Sequence, residues 1–337
     1  MLQIDGSKHE GGGAILRTAT ALSAITNQDI HVTNIRKGRK KSGLRPQHLS
    51  GIKAAAELCS AQFNNVKQDS EEIEFKPGKI EGKHITVDID TAGSITLVLQ
   101  GLIPIALQAS EPTEIHFRGG ATDTFFSPTI DYFQNVFLKN LERMGVSVDL
   151  DIKRRGYYPQ GGAEVIAKIK PSNLRTIHLL KKKRVKEITM KSGAATQLKD
   201  KSVAHRQISG ADEVLPDQLP IKEEENYYNT KCPGSHISLI ANFSNSIIGT
   251  DNIGKLKKRA EQVGKEAALE LLEQQKSDGC LDKYMADQIL IYMALAGDSK
   301  ITVSEVTDHC KTNIWLIEKF LEGSFEVKEN KIKWTTD

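Results

Sequence analysis

The chain repeats one pattern three times, and this repetition limits its possible folds more than any other feature. Three helix patterns look alike: Gly12–Leu22, Gly93–Leu102 and Lys283–Tyr292. Each precedes a short β-branched run that predicts a strand: Ile30–Asn34, Thr113–Phe117 and Lys300–Ser304. A second amphipathic helix is expected after each, at Gln47–Leu58, Thr129–Met144 and Asn313–Leu321. Two further strands close a unit, for example Val146–Leu150 and Glu164–Lys168. Side chains alternate faces along a strand and recur every 3.6 residues on a helix, so these periods separate the two element types. The expected order is β-α-β-α-β-β, three times over. The fold class is α/β (α+β), with the three units forming one large domain.

The third copy arrives late. The first two helix patterns start at Gly12 and Gly93, the third only at Lys283. The excess has its own pattern: a strand at Lys186–Met190, a helix at Lys201–Val214, a strand pair beginning with Ile237–Ser244, and a long helix at Leu256–Gln275. Residues 181–277 are therefore expected to form a small α+β domain inserted into the third repeat. Residues 1–180 and 278–337 form the large domain.

Composition narrows the function. Lysine and arginine number 46 against 43 acidic residues, a net charge of +3, so any anion site must be a local patch. Cys59, Cys232, Cys280 and Cys310 contain no C-x-x-C pair, which argues against a disulfide framework or a zinc site and suits a reducing compartment. The most apolar stretch, Ile95–Leu107, is interrupted by Gln100, Gly101 and Pro104 and is too short to cross a bilayer. No signal-peptide apolar run follows Met1. A soluble cytoplasmic protein is expected.

Four segments carry candidate chemistry. Glu10-Gly-Gly-Gly13 opens the first helix; glycines let a ligand approach the backbone, and a helix N-terminus favours an anion. Arg17 lies one turn inside, and Glu10 offers a carboxylate for a hard cation such as Mg²⁺ beside phosphates. The loop Ile35–His48 gathers Arg36, Lys37, Arg39, Lys40, Lys41 and Arg45 ahead of Pro46, and arginine forks match phosphate oxygens. There, Gln47 and His48 can face the same site. The run Arg154-Arg-Gly-Tyr-Tyr-Pro-Gln-Gly-Gly162 suits either nucleic-acid contact or a hairpin with packed aromatics. Lys181–Arg184 and Lys255–Arg259 are expected to be solvated faces of the insert. Finally, His309 stands where an alternating run gives way to a helix pattern, a joint that presents backbone N–H groups and the positive end of the helix dipole. The neighbouring Cys310 offers a thiol, with nothing nearby to lower its pKa.

These motifs, in this order, resemble the RNA 3′-terminal phosphate cyclases. The matching segments are Asp5–Gly13 with Ile15-Leu-Arg17, Ile35–Arg39 with Gly43-Leu and Gln47-His-Leu49, and Leu97–Gln100. They continue with Arg155–Gly162, Tyr284-Met-Ala-Asp-Gln288, and His309 with Thr312-Asn313. The family fold is a three-repeat α/β body with an inserted α+β domain. Ala163 stands where the family often carries a third glycine, and Lys40-Lys41 make the arginine loop more basic than usual.

The resemblance implies an ATP-dependent reaction. His309 takes AMP from ATP, AMP passes to the 3′-terminal phosphate of an RNA, and the vicinal 2′-OH displaces it to leave a 2′,3′-cyclic phosphate. By the same resemblance, Gln100, Pro128, Lys283, Tyr284, Met285, Ala286 and Asp287 belong to the ATP/AMP site. Arg17, Arg36, Arg39 and Gln47 are assigned to the RNA terminal phosphate or the ATP phosphates, and Glu10 to Mg²⁺ or Mn²⁺. The family also has a non-catalytic branch acting in ribosome assembly, which lacks the histidine. Retention of His309 sets this chain with the catalytic branch. The enolpyruvate transferases share the repeated unit but use no adenylylated histidine.

Overall fold

The computed structural model describes residues 1–216 and 218–337. It is a mixed α/β structure containing four four-stranded sheets. The first unit runs β1 (Leu2–Asp5), α1 (Gly13–Thr26), β2 (Ile30–Thr33), α2 (Pro46–Leu58), β3 (Gln62–Asn64) and β4 (Ile73–Lys76). Ile4, Ile30 and Val32 point inward from β1 and β2, with their neighbours outward, which fits the period of a half-buried strand. Helix α1 buries Ile15, Leu16, Ala19 and Leu22, the 3/4 spacing of one helix face. Helix α2 starts with Pro46 in its first turn, where its missing N–H costs no hydrogen bond.

The second unit holds β5 (His84–Ser94), α3 (Ile95–Ala106), β6 (Thr113–Ala121), α4 (Ile130–Tyr132), α5 (Leu138–Glu142), β7 (Ser147–Arg154) and β8 (Glu164–Lys170). A π-helical turn, Phe133–Phe137, joins α4 to α5 inside the single helix expected there. Strand β9 (His178–Leu179) follows.

The chain then leaves this body. It forms β10 (Val185–Ala195), a 3₁₀ turn at Thr196–Lys201, α6 (Val203–Asp212), β11 (Ile221–Tyr228), β12 (Ser235–Phe243), β13 (Ile247–Ile253) and α7 (Ala260–Lys276). It returns through α8 (Lys283–Gln288), α9 (Leu290–Ala296), β14 (Ser299–Thr302), α10 (Asp308–Ile317), β15 (Ser324–Lys328) and β16 (Lys331–Thr335).

Three sheets follow one plan, with orders β1-β2-β4-β3, β5-β6-β8-β7 and β9-β14-β16-β15. In each, the first pair is parallel and the other two pairs antiparallel. Their helices and inner faces share one apolar cluster, from Ile4 through Phe133 to Trp334. The fourth sheet, β11-β10-β12-β13, has a separate cluster built from Ile188, Met190, Leu239 and Ile248 against Ile208 of α6 and Leu271 of α7.

Several elements depart from the sequence reading. Helix α10 starts at Asp308 rather than near Asn313, because the Thr307 side chain accepts the Cys310 N–H at 3.3 Å and caps the helix earlier. The third first-helix pattern is broken at Ile289 into α8 and α9. Helix α7 starts at Ala260, since Lys255–Lys258 form a turn with Lys257 at positive φ and Arg259 is extended. Strand β11 was not anticipated: its Glu223-Glu224-Glu225 looks like a charge run but pairs with β10 at the sheet edge.

The run Arg154–Gly162 is largely structural. Arg155 is buried, with Nη1 at 3.2 Å from Asp123 and Nη2 at 2.8 Å from Asp131. His236 of β12 reaches the other Asp131 oxygen at 2.7 Å, and the Tyr157 hydroxyl lies 2.9 Å from its Nδ1. Burial opposes ionisation of Asp131, but Arg155 and His236 more than offset it and hold the carboxyl well below its ordinary range. This closed network ties the fourth sheet to the body.

Candidate active site

His309 occupies the first turn of α10, with half of its side chain exposed. Helix α10 packs on α1, and Asn313 fixes the contact: it accepts from Thr18 Oγ1 at 3.1 Å and donates to the Asp287 carbonyl at 3.0 Å. The N-terminal turns of α1 and α10 thereby meet. Glu10, just before α1, sends Oε1 to 3.7 Å from His309 Nδ1.

His309 lines a cleft of about 470 Å³ together with Arg17, Gln100, Pro128, Tyr284 and Asp287. Arg17 makes no side-chain hydrogen bond or salt bridge among the described residues. Burial lowers its pKa, countered by the charges of Asp287 and Glu10. A largely enclosed guanidinium with unspent donors favours an anion. Burial likewise pushes the Asp287 carboxyl up to about 7, against the pull of Arg17.

The walls of the cleft are braced from behind. Gln100 donates to Gln288 at 2.9 Å. Asp282 caps α8 by accepting the N–H groups of Tyr284 and Met285, takes the Tyr132 hydroxyl at 2.6 Å, and holds the Gly249 N–H of β13. Tyr284 is partly exposed and meets Tyr132 edge-on, 6.3 Å between ring centroids.

The arginine loop meets the site through Glu10. Arg39 reaches Glu10 Oε1 at 2.7 Å and the Glu10 carbonyl at 3.2 Å. Arg36, at positive φ, donates to the Gly43 carbonyl; burial, then Arg45 and Arg39, depress its pKa. Arg45 is engaged locally with Asp69 and the Ser42 carbonyl. Gln47 accepts the Ser94 N–H at 2.8 Å and, with Arg17, lines a small recess beside the cleft. His48 Nδ1 accepts the Arg45 N–H at 3.1 Å. Burial and the surrounding Arg36, Arg17 and Arg45 push the His48 pKa down to about 3, so its ring is neutral at ordinary pH.

Of the residues expected in the ATP/AMP site, three do not line the cleft, and Glu10, Arg36, Arg39 and Gln47 lie outside its lining as well. Met285 and Ala286 are fully buried on the inner side of α8, and Lys283 pairs with Glu270 at 2.9 Å. They support Tyr284 and Asp287, which face the cleft because helical periodicity divides successive residues between the two sides. Cys310 is also turned inward, and burial pushes its thiol up to about 12.

The sequence profile described as RNA 3′-terminal phosphate cyclase matches residues 8–327. The chain is 43% identical to a protein of that name from Methanosarcina barkeri over 332 residues, covering 98% of each chain. It is 44% identical over 330 residues to one from Thermococcus kodakarensis, covering 97% of this chain and 94% of the relative. A third, from Pyrococcus furiosus, is 43% identical over 331 residues, with 97% and 95% covered. The chain belongs to the RNA 3′-terminal phosphate cyclase family.

Membership in the cyclase family gives the remaining features a context. The described residues contain no group of three or more His, Cys, Asp or Glu able to hold a metal ion by themselves. Glu10 Oε2, however, is buried without a hydrogen-bond partner among the described residues, on a side chain only 9% exposed. One free carboxylate oxygen fits a cation whose other ligands are phosphates and water. The sequence reading missed the wall that the fourth sheet adds to this cyclase cleft. Asp251, Asn252, Ile253 and Lys255 line it. Lys255–Arg259 are therefore not a plain solvated face. No helix of the described residues is long and apolar enough to cross a membrane.

Proposed function

We propose that the chain converts an RNA 3′-terminal phosphate to a 2′,3′-cyclic phosphate at the expense of ATP, through a covalent adenylate on His309. The observation that carries this reading is the pairing, in one cleft, of His309 at a helix N-terminus with Arg17, which has no side-chain partner among the described residues.

The adenosine lies between Tyr284 and Pro128, with Gln100 and Asp287 beside it. The Glu10 carboxylate faces Nδ1 of His309 and favours the proton there, leaving the Nε2 lone pair for attack. Nε2 bonds to the α-phosphorus of ATP, the bond to the bridging oxygen breaks, and pyrophosphate leaves. The RNA phosphate, held by Arg17, Arg36, Arg39 and Gln47, then attacks the same phosphorus and breaks the P–N bond. The 2′-OH of the last ribose attacks the activated terminal phosphorus, loses its proton to solvent, and expels AMP.

A monoester phosphate has no good leaving group at neutral pH, and AMP supplies one. Such transfers need mainly positioning and charge neutralisation. Mg²⁺ or Mn²⁺, held through Glu10 Oε2, would neutralise phosphate charge. The buried free thiols suit a reducing compartment such as the cytoplasm.

The test uses an RNA ending in a 3′-phosphate, ATP and a divalent metal. The product should resist phosphatase and yield a 2′,3′-cyclic end. Tight RNA binding with a phosphatase-sensitive end throughout would contradict the reading.

A further inference from the structure

Beside the cleft lies a larger groove, about 750 Å³, between the second unit and the inserted segment. The two share Phe125, Phe126, Ile253 and Lys255 as a common wall. Six lining residues are cationic: Lys201, Arg206, Lys255, Lys257, Lys258 and Arg259. Among the described residues, none of the lining side chains is a carboxylate. In a chain with nearly balanced charge, that segregation is a local anion surface. Arg206, Lys258 and Arg259 are tied to glutamates of α7. Lys201, Lys255 and Lys257 form no salt bridge among the described residues.

The same groove displays aromatic rings to solvent. Phe126 is fully exposed and sits at φ +62°, a conformation that bulky side chains rarely adopt. Tyr158 is 56% exposed and meets Phe125 edge-on at 5.6 Å. Lys255 stands 5.3 Å over the Phe125 ring. Leaving such rings in water is unfavourable, and a strained backbone that presents one points to a ligand.

We infer that this groove holds the single-stranded RNA upstream of the reacting 3′-phosphate, with bases against Tyr158 and Phe126 and phosphates on Lys201, Lys255 and Lys257. Free rings interleaved with free lysines are the elements from which sequence-tolerant single-strand sites are built. The groove adjoins the His309 cleft at the shared residues, so one strand can run along both. A duplex end has its bases paired and cannot offer them to the rings. The inference rests on the RNA cyclase reading, and it gives the inserted segment a role: gripping the substrate strand.

The test compares the full chain with Tyr158→Ala and with Lys201→Glu/Lys257→Glu, exposed positions that do not line the His309 cleft. Affinity for a single-stranded decanucleotide 3′-phosphate is read by fluorescence anisotropy, with a dinucleotide 3′-phosphate as competitor. Adenylylation from labelled ATP is read in parallel. Each variant should weaken decanucleotide binding about tenfold or more, with dinucleotide binding and adenylylation unchanged. The double variant should also show a shallower salt dependence, since each phosphate contact adds about 0.7 to the slope. Unchanged decanucleotide affinity, or equal losses for both lengths, would overturn the inference. Loss of poly-glutamate binding with RNA affinity unchanged would reassign the groove to an acidic polypeptide. A wild-type protein that never adenylylates, yet binds the decanucleotide through these residues, would sink the cyclase reading and leave the groove standing.

Discussion

Oε1 of Glu10 lies 3.7 Å from Nδ1 of His309, although the two residues come from opposite ends of the chain. The distance is too long for a hydrogen bond, but the negative charge still favours an imidazole protonated at Nδ1. The same oxygen is 2.7 Å from Arg39, so one carboxylate links His309 to the arginine loop.

Glu10→Gln keeps the shape and removes this charge. Single-turnover adenylylation should slow at least about tenfold, with a higher metal concentration needed for half-maximal rate. ATP binding to a His309→Ala background should change little. An unaltered adenylylation rate would separate Glu10 from the chemistry.

His48 makes the fold sensitive to acid. Its pKa is about 3 in the folded chain against 6.5 when unfolded. Below pH 6.5 the unfolded chain takes up a proton that the folded chain refuses, so stability is full above 6.5 and falls as pH drops toward 3. Between pH 7 and pH 5 this loss is about 2 kcal/mol. Urea unfolding at both pH values should show a difference smaller by that amount in His48→Gln. Equal differences in the two proteins would mean that His48 is not held neutral.

Arg155→Met should cost about 3–5 kcal/mol, because Asp123 and Asp131 stay buried without their cation. Chemical denaturation checks this directly. A loss under 1 kcal/mol would show that His236 and solvent compensate.

Cys310→Ala should leave adenylylation intact. The thiol next to His309 is fully buried, and its pKa of about 12 leaves almost no thiolate at neutral pH. Adenylylation rates of the variant and wild type should agree within about twofold, about 0.4 kcal/mol in barrier. A loss of activity without unfolding would assign the thiol a role.

Much of the site was legible because it sits at helix starts. Glu10-Gly-Gly-Gly13 and Arg45-Pro46 announce strand-to-helix joints through glycine and proline, and the end of an alternating run marks the joint at His309. Arg17 follows from the helical period alone. What stayed hidden depends on contacts between distant segments. Asp251 belongs to a strand whose sequence says only that one face is buried, yet tertiary packing brings it to the cleft, where burial pushes its carboxyl up to about 7. The run around Arg155 left nucleic-acid contact and a packed hairpin both open, because a buried, ion-paired arginine and an anion-binding arginine share one sequence pattern. Only the positions of Asp123 and Asp131 distinguish them. Strand β11 was missed because an edge strand tolerates charge on its solvent side.

The central claim is that His309 carries AMP. Incubation with ATP labelled at the α-phosphorus and a divalent metal, followed by denaturing electrophoresis and adduct mapping, tests it most directly. The account predicts an acid-labile, base-stable label on His309, absent from His309→Ala, which still binds RNA. Label retained in His309→Ala, or none on the folded wild type after pyrophosphate removal, would contradict it.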